Sequence, residues 1–139
     1  MDYDGHFTRL SGDECRQLLR ARSVGRIGWA SAVGYQILPV TYAITGERIA
    51  FRTHPATVLG ELFRQPQEVS FEIDDVDEDT ASGWSVLVRG VARGYLDDVP
   101  DGLTLPLPWA PGDHPLTVVI VPTDYAGRAV SATTGGGAC

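Results

Sequence analysis

The chain has 139 residues, 43% of them hydrophobic and 21% charged, the proportions of one globular domain large enough to bury a core. Its formal charge is −7 and all 11 basic residues are arginines, which argues against a nucleic-acid partner and leaves any anion site to arginine, histidine, hydroxyls or backbone amides. No apolar run approaches the ~20 residues of a membrane helix, and Met1-Asp2-Tyr3-Asp4 lacks the basic and apolar regions of a signal peptide, so the expectation is a cytoplasmic protein with no membrane partner.

The first ten residues carry no periodicity. Ser11-Gly12-Asp13-Glu14 then has the form of a capping box, and Cys15, Leu18 and Leu19 follow at helical spacing. Arginines fill the last turns, where they complement the helix dipole, and the helix is expected to end near Arg22. Strands are expected at 25–30, 36–44 and 48–53, the last two forming a hairpin through Thr45-Gly46. His54-Pro55 opens a second helix with Val58, Leu59, Leu62 and Phe63 as its apolar stripe and Pro66 as its stop. Further strands are expected at 68–73, 84–96 and 116–121, with an irregular proline-rich stretch at 103–112. The domain should run over 1–131, leaving 132–139 as a disordered, glycine-rich tail.

Several strands are apolar on both faces. Leu38, Val40, Tyr42 and Ile44 point one way and Ile37, Pro39 and Ala43 the other; Leu87 and Val91 back Trp84, Val86, Val88 and Ala92. Antiparallel sheets ordinarily wet one face. Two apolar faces imply a barrel interior on one side and a helix or second subunit on the other: a mainly β antiparallel barrel with two helices, as a dimer.

The common catalytic signatures are absent, and His6, His54 and His114 are too scattered to suggest a metal triad. The acidic run from Glu72 to Asp79 fails as a calcium loop, because Thr80 would stand where glycine must turn and Val86 where the bidentate glutamate belongs. It reads as a solvated inter-strand loop. Cys15 reads as a buried structural thiol. More informative is Phe51-Arg52-Thr53-His54-Pro55-Ala56-Thr57, where a strand gives way to a helix between two hydroxyls. First-turn amides, Thr53 and Thr57 could hold a phosphate, with Arg52 supplying charge; equally, Thr53 or His54 could simply cap the helix. Trp84 and Trp109 stand in polar and proline-rich contexts, where an indole walls a flat ligand as often as it fills a core.

The order of these segments resembles the pyridoxamine 5'-phosphate oxidase-like proteins of the FMN-binding split-barrel fold. The likeness runs through Val24-Gly25-Arg26-Ile27-Gly28, Ile37-Leu38-Pro39-Val40-Thr41-Tyr42, Phe51-Arg52-Thr53, Asp74-Asp75-Val76-Asp77, Ser82 to Gly90, Pro108-Trp109-Ala110-Pro111-Gly112 and Gly127-Arg128. The resemblance implies a homodimer with FMN at the subunit interface and hydride transfer to or from a small substrate. It implies that Pro39, Val40, Thr41 and Tyr42 run along the ring, that Arg52, Thr53, His54 and Thr57 hold the phosphate, and that Trp84, Ser85 and Trp109 close the pocket. Val58 departs from the pattern, because relatives place a lysine or arginine there; Arg52, Arg128 or His54 would then have to compensate. A deazaflavin offers the same phosphate and flat ring. The alternatives are a non-catalytic flavin, deazaflavin or haem carrier, or an interaction dimer that has lost the site.

Overall fold

The computed structural model describes residues 6–106 and 112–131. The expected tail at 132–139, and Trp109, lie outside the described residues. In chain order the elements are β1 (His6–Leu10), α1 (Gly12–Ala21), β2 (Val24–Ser31), β3 (Gly34–Thr41), β4 (Ala43–Thr45), β5 (Arg48–Thr53), a 3-10 turn (Val58–Gly60), α2 (Glu61–Arg64), β6 (Gln67–Asp77), β7 (Ser82–Tyr95) and β8 (Leu116–Ser131).

The capping box forms as expected: Glu14 N donates to Ser11 Oγ at 3.1 Å, and Ser11 N to Glu14 Oε1 at 2.8 Å. Cys15 and Leu19, on the apolar face of α1, are buried. Gly127 sits beneath the thiol, where an added Cβ would come within 2.5 Å of Cys15 Sγ.

The strands pair antiparallel in the order β3-β2-β6-β7-β8-β5-β4, with β1 added along the second half of β8. β3 and β4 are the two ends of that path, yet only Tyr42 separates them in the chain. Two peptide links span about 7 Å at most. The sheet must therefore curl until its ends meet, giving a split barrel closed by covalent chain where hydrogen bonds do not close it. Tyr42 anchors the junction. Its amide donates to Ser23 O at 2.9 Å, its hydroxyl to Leu19 O at 2.7 Å, and its ring meets Phe71 edge-on at 5.0 Å. Ile27, Phe51, Phe71, Ile73, Val88 and Ile120 fill the interior, each fully buried.

Four expectations are corrected. β1 forms although its sequence shows no alternation, because β8 supplies its register from His6↔Ser131 to Leu10↔Gly127. The strand expected at 36–44 breaks at Tyr42, so only β4 makes the hairpin with β5, around Gly46 at φ 62°, while β3 pairs with β2. The second helix shrinks to the 3-10 turn and α2, because the chain doubles back: a Cβ on Gly60 would lie 2.0 Å from Pro55 O. β8 continues past Pro122, which stands opposite Gly90 at a bulge. Thr123 is the extra residue there, and its hydroxyl donates to Arg89 O at 3.1 Å.

Tyr42→Phe should cost about 0.5–1.5 kcal/mol, the worth of one neutral hydrogen bond. Burial pushes the Tyr42 hydroxyl up to about 12 from its ordinary 10. The folded state thus favours the protonated phenol, a stabilisation fully present below pH 10 and lost as pH rises through 12. Denaturant titrations should show Tyr42→Phe closing its stability gap to the parent across that window.

Candidate functional site

The 52–58 turn leaves β5 at the end of the barrel covered by α2. Thr57 donates its hydroxyl to His54 O at 2.8 Å and also lies 3.2 Å from Thr53 Oγ1, so the Thr53 proton is the one that bridges the pair. His54 Nδ1 accepts from Ala56 N at 3.0 Å, and Arg52 Nε donates to His114 O at 3.2 Å. Thr53 is buried, Arg52 and Thr57 are exposed, and Val58 packs against the core. Glu61 is drawn away from the turn: it accepts from Trp29 Nε1 at 3.3 Å and from Ala32 N at 3.2 Å, tying α2 to the β2–β3 connection. Residues of the β7–β8 connection meet the two ends of β5: Thr104 N donates to Thr45 Oγ1 at 2.6 Å beside the β4–β5 hairpin, and His114 O accepts from Arg52 at the turn. Trp109 belongs to that segment in sequence.

The remaining expected residues divide between the two faces of the sheet. Directly paired residues share a face, and successive ones alternate. Pro39 and Thr41 on β3 and Ser85 on β7 lie on the outward face, whereas Val40, Tyr42 and Trp84 point inward. The Tyr42 hydroxyl, expected to reach a bound ring, is committed to Leu19 within the core. The guanidinium of Arg22 lies over the Trp84 ring at 5.4 Å.

Within one chain these residues do not converge. Arg52 is level with Thr117 and Thr117 with Tyr95, so the turn lies roughly 30 Å along β7 from Ser85, which pairs with Arg128. Arg128 therefore cannot stand in for the missing charge at Val58 in its own chain; Arg52 is the cation at the turn.

Sequence spacing did not disclose a charged cluster on the outward face, between Pro39 and Ser85. Arg26 Nη1 lies 3.3 Å from Glu72 Oε1 and 3.4 Å from Asp74 Oδ2. Asp74, Asp75 and Asp77 belong to β6, and only Glu78 and Asp79 lie beyond its end, so the expected acidic loop is largely strand. Next to the cluster a groove of about 630 Å³ crosses the sheet, lined by Ala30, Tyr35, Ile37, Ser70, Arg89 and Val91 among others. Tyr35 is 89% and Ile37 72% exposed at its rim.

Burial, and then the neighbouring Asp74, push Glu72 up to about 7, while Arg26 opposes the shift. Its raised value makes a contribution to stability that is fully present below the ordinary 4.5 and lost as pH rises through 7. Glu72→Gln should leave stability little changed at pH 4 and raise it relative to the parent at pH 8. A difference independent of pH in thermal melts would contradict the assignment.

Comparisons with known proteins agree with this architecture. The family model described as pyridoxamine 5'-phosphate oxidase matches residues 11–129. The FAD binding protein from Mycobacterium smegmatis is 33% identical, with 89% of this chain and 98% of that one covered at a TM-score of 0.67. A conserved protein of unknown function from Corynebacterium diphtheriae is 30% identical over 88% of this chain and 97% of its own, at a TM-score of 0.69. An uncharacterised Mycobacterium tuberculosis protein is 30% identical over 92 residues, 63% of this chain; the match spans 60% of that relative's length. The split barrel and the matched span together identify the chain as a member of the pyridoxamine 5'-phosphate oxidase family.

Proposed function

We propose that the protein binds a flavin nucleotide, FMN in the first instance, at an interface between two copies of the chain, and transfers hydride to or from a small substrate in the cytoplasm. The observation that carries this reading is the 33% identity, over 89% of this chain, to a protein described as FAD binding. The donor set at the turn fits the phosphate end of such a nucleotide. It combines one guanidinium with two linked hydroxyls, whose protons would turn from His54 O and Thr57 Oγ1 to the phosphate, and no carboxylate occurs from Arg52 to Val58.

A bound flavin would supply the hydride chemistry. The chain would supply position. Arg52, Thr53 and Thr57 would hold the phosphate, with His54 shaping the turn. Pro39 and Thr41 would border the ring from the outward face. Ser85 would come from the second subunit, since the length of β7 separates it from the turn in its own, and Trp84, on the inward face, would back that strand. The exposed Tyr35 and Ile37 supply the apolar surface that such a dimer would cover.

Val58 favours a second reading. Its side chain contributes to the core, where relatives are expected to offer a charge. On that reading the chain is an interaction dimer without a cofactor, or a carrier of flavin, deazaflavin or haem without turnover.

Arg52→Ala and Thr57→Ala, both exposed, should each weaken FMN binding about tenfold or more, as the loss of a charge-assisted hydrogen bond predicts. Fluorescence titration reads this directly, and unchanged affinity in both variants would remove the turn from the site. Ile37→Glu should shift the chain toward monomer in sedimentation velocity. A parent dimer that persists in the variant would place the interface elsewhere.

A further inference from the structure

Strand pairing arranges the outward face in cross-strand rows. One row runs through Pro39, Arg26, Glu72, Leu87 and Ala126. On one side of it stands Ile37, 72% exposed; on the other, past the row of Asp74 and Ser85, stand Val76 and Val130, 65% and 41% exposed. Glu72 lies between these apolar margins. A second copy that covers both margins therefore covers Glu72 with them.

Two carboxylates compete there for one cation. Glu72 and Asp74 are two residues apart on β6, and both reach Arg26 Nη1, at 3.3 and 3.4 Å. With both ionised, the trio carries a net charge of −1. On β7 the residue opposite Glu72 is Leu87, and Arg89 beyond it is occupied by Asp124 of β8 at 3.5 Å. Pro39 of β3 and Ala126 of β8 bring no charge to the row. Arg128, opposite Arg9, stands level with Asp74, and Arg22, ahead of β2, pairs with Asp75 at 3.5 Å. Glu68, farther along the same face of β6, adds a like charge. Among the described residues, no second cation meets Glu72. Taking more water from this trio makes its excess negative charge costlier still, and a proton on Glu72 removes that cost.

We propose that Glu72 makes the association of two copies of the chain proton-linked: the outward faces pack together with Glu72 protonated, and its ionisation drives them apart. The role rests on the interface in the reading above. In the single chain Glu72 already stands at about 7, through burial first and Asp74 second. Covering the face raises that value further, so association is at full strength below pH 7 and weakens as pH rises through the value held in the dimer. One proton leaves each chain, which limits the fall in the association constant to about a hundredfold per pH unit.

The test is sedimentation velocity of the full chain over a concentration series at pH 6.5 and pH 8.5, which gives the dissociation constant of the dimer. The parent should dissociate at least tenfold more readily at pH 8.5. Glu72→Gln, whose amide keeps the shape of the protonated carboxyl, should change less than twofold between the two. Asp74→Asn leaves Glu72 and Arg26 as a neutral pair and should also shrink the response, whereas Glu68→Gln, at an exposed position, should keep it. Equal association of the parent at both pH values overturns the proposal and leaves the dimer intact. A response that survives Glu72→Gln, or Asp74→Asn where the first variant does not fold, overturns it as well. So does association that strengthens at pH 8.5, because a cation of the second copy would then meet Glu72. A parent that is monomeric at both pH values removes the interface itself, and the proposal with it.

Discussion

Thr41 leaves one end of the sheet and Ala43 enters the other, so the two ends cannot be farther apart than the Tyr42 backbone reaches. Curvature is thereby a requirement of chain connectivity, and the buried ring and hydroxyl of Tyr42 hold the corner where it is imposed. The consequences spread outward. A curled sheet encloses the aromatic and β-branched core, gives α1 an end of the barrel to cover, and leaves the opposite faces of β3, β2, β6 and β7 turned away from the interior.

That outward face is where the chain's chemistry is concentrated. It carries Pro39 and Thr41, the Arg26–Glu72–Asp74 cluster, Ser85, and the Arg9–Arg128 pair. The hydroxyl-lined turn at Thr53 and Thr57 lies at the far end of β7 from Ser85. A strand of fourteen residues is too long for both to serve one ligand within one chain. On the proposed reading, in which both serve one flavin, a second copy would bring its Ser85 end to the first copy's turn.

How much of this was legible in the sequence follows from how local each signal is. Ser11 and Glu14 are three residues apart and announce α1 correctly. β5 was bounded residue for residue, since its apolar run stops at a turn on each side. Tyr42 reads as an ordinary member of an alternating strand; only the topology shows that it is a corner. β1 has no pattern of its own and exists because β8 offers it an edge. The last strand was expected only over 116–121, and a bulge opposite Gly90 lets it continue past Pro122. At the candidate site, Thr53 and Thr57 were visible as neighbours in sequence. Arg26 and its partners Glu72 and Asp74 were not, because strand pairing alone makes them neighbours.

The account's central claim is that this fold carries a flavin. The measurement that tests it most directly is the visible absorption spectrum of the purified protein after incubation with FMN and removal of free nucleotide. The account predicts flavin absorbance that co-elutes with the protein, near one equivalent per chain. Protein that elutes colourless at saturating FMN, and again at saturating FAD, would contradict it, and would leave the second reading, an interaction dimer or a carrier of deazaflavin or haem.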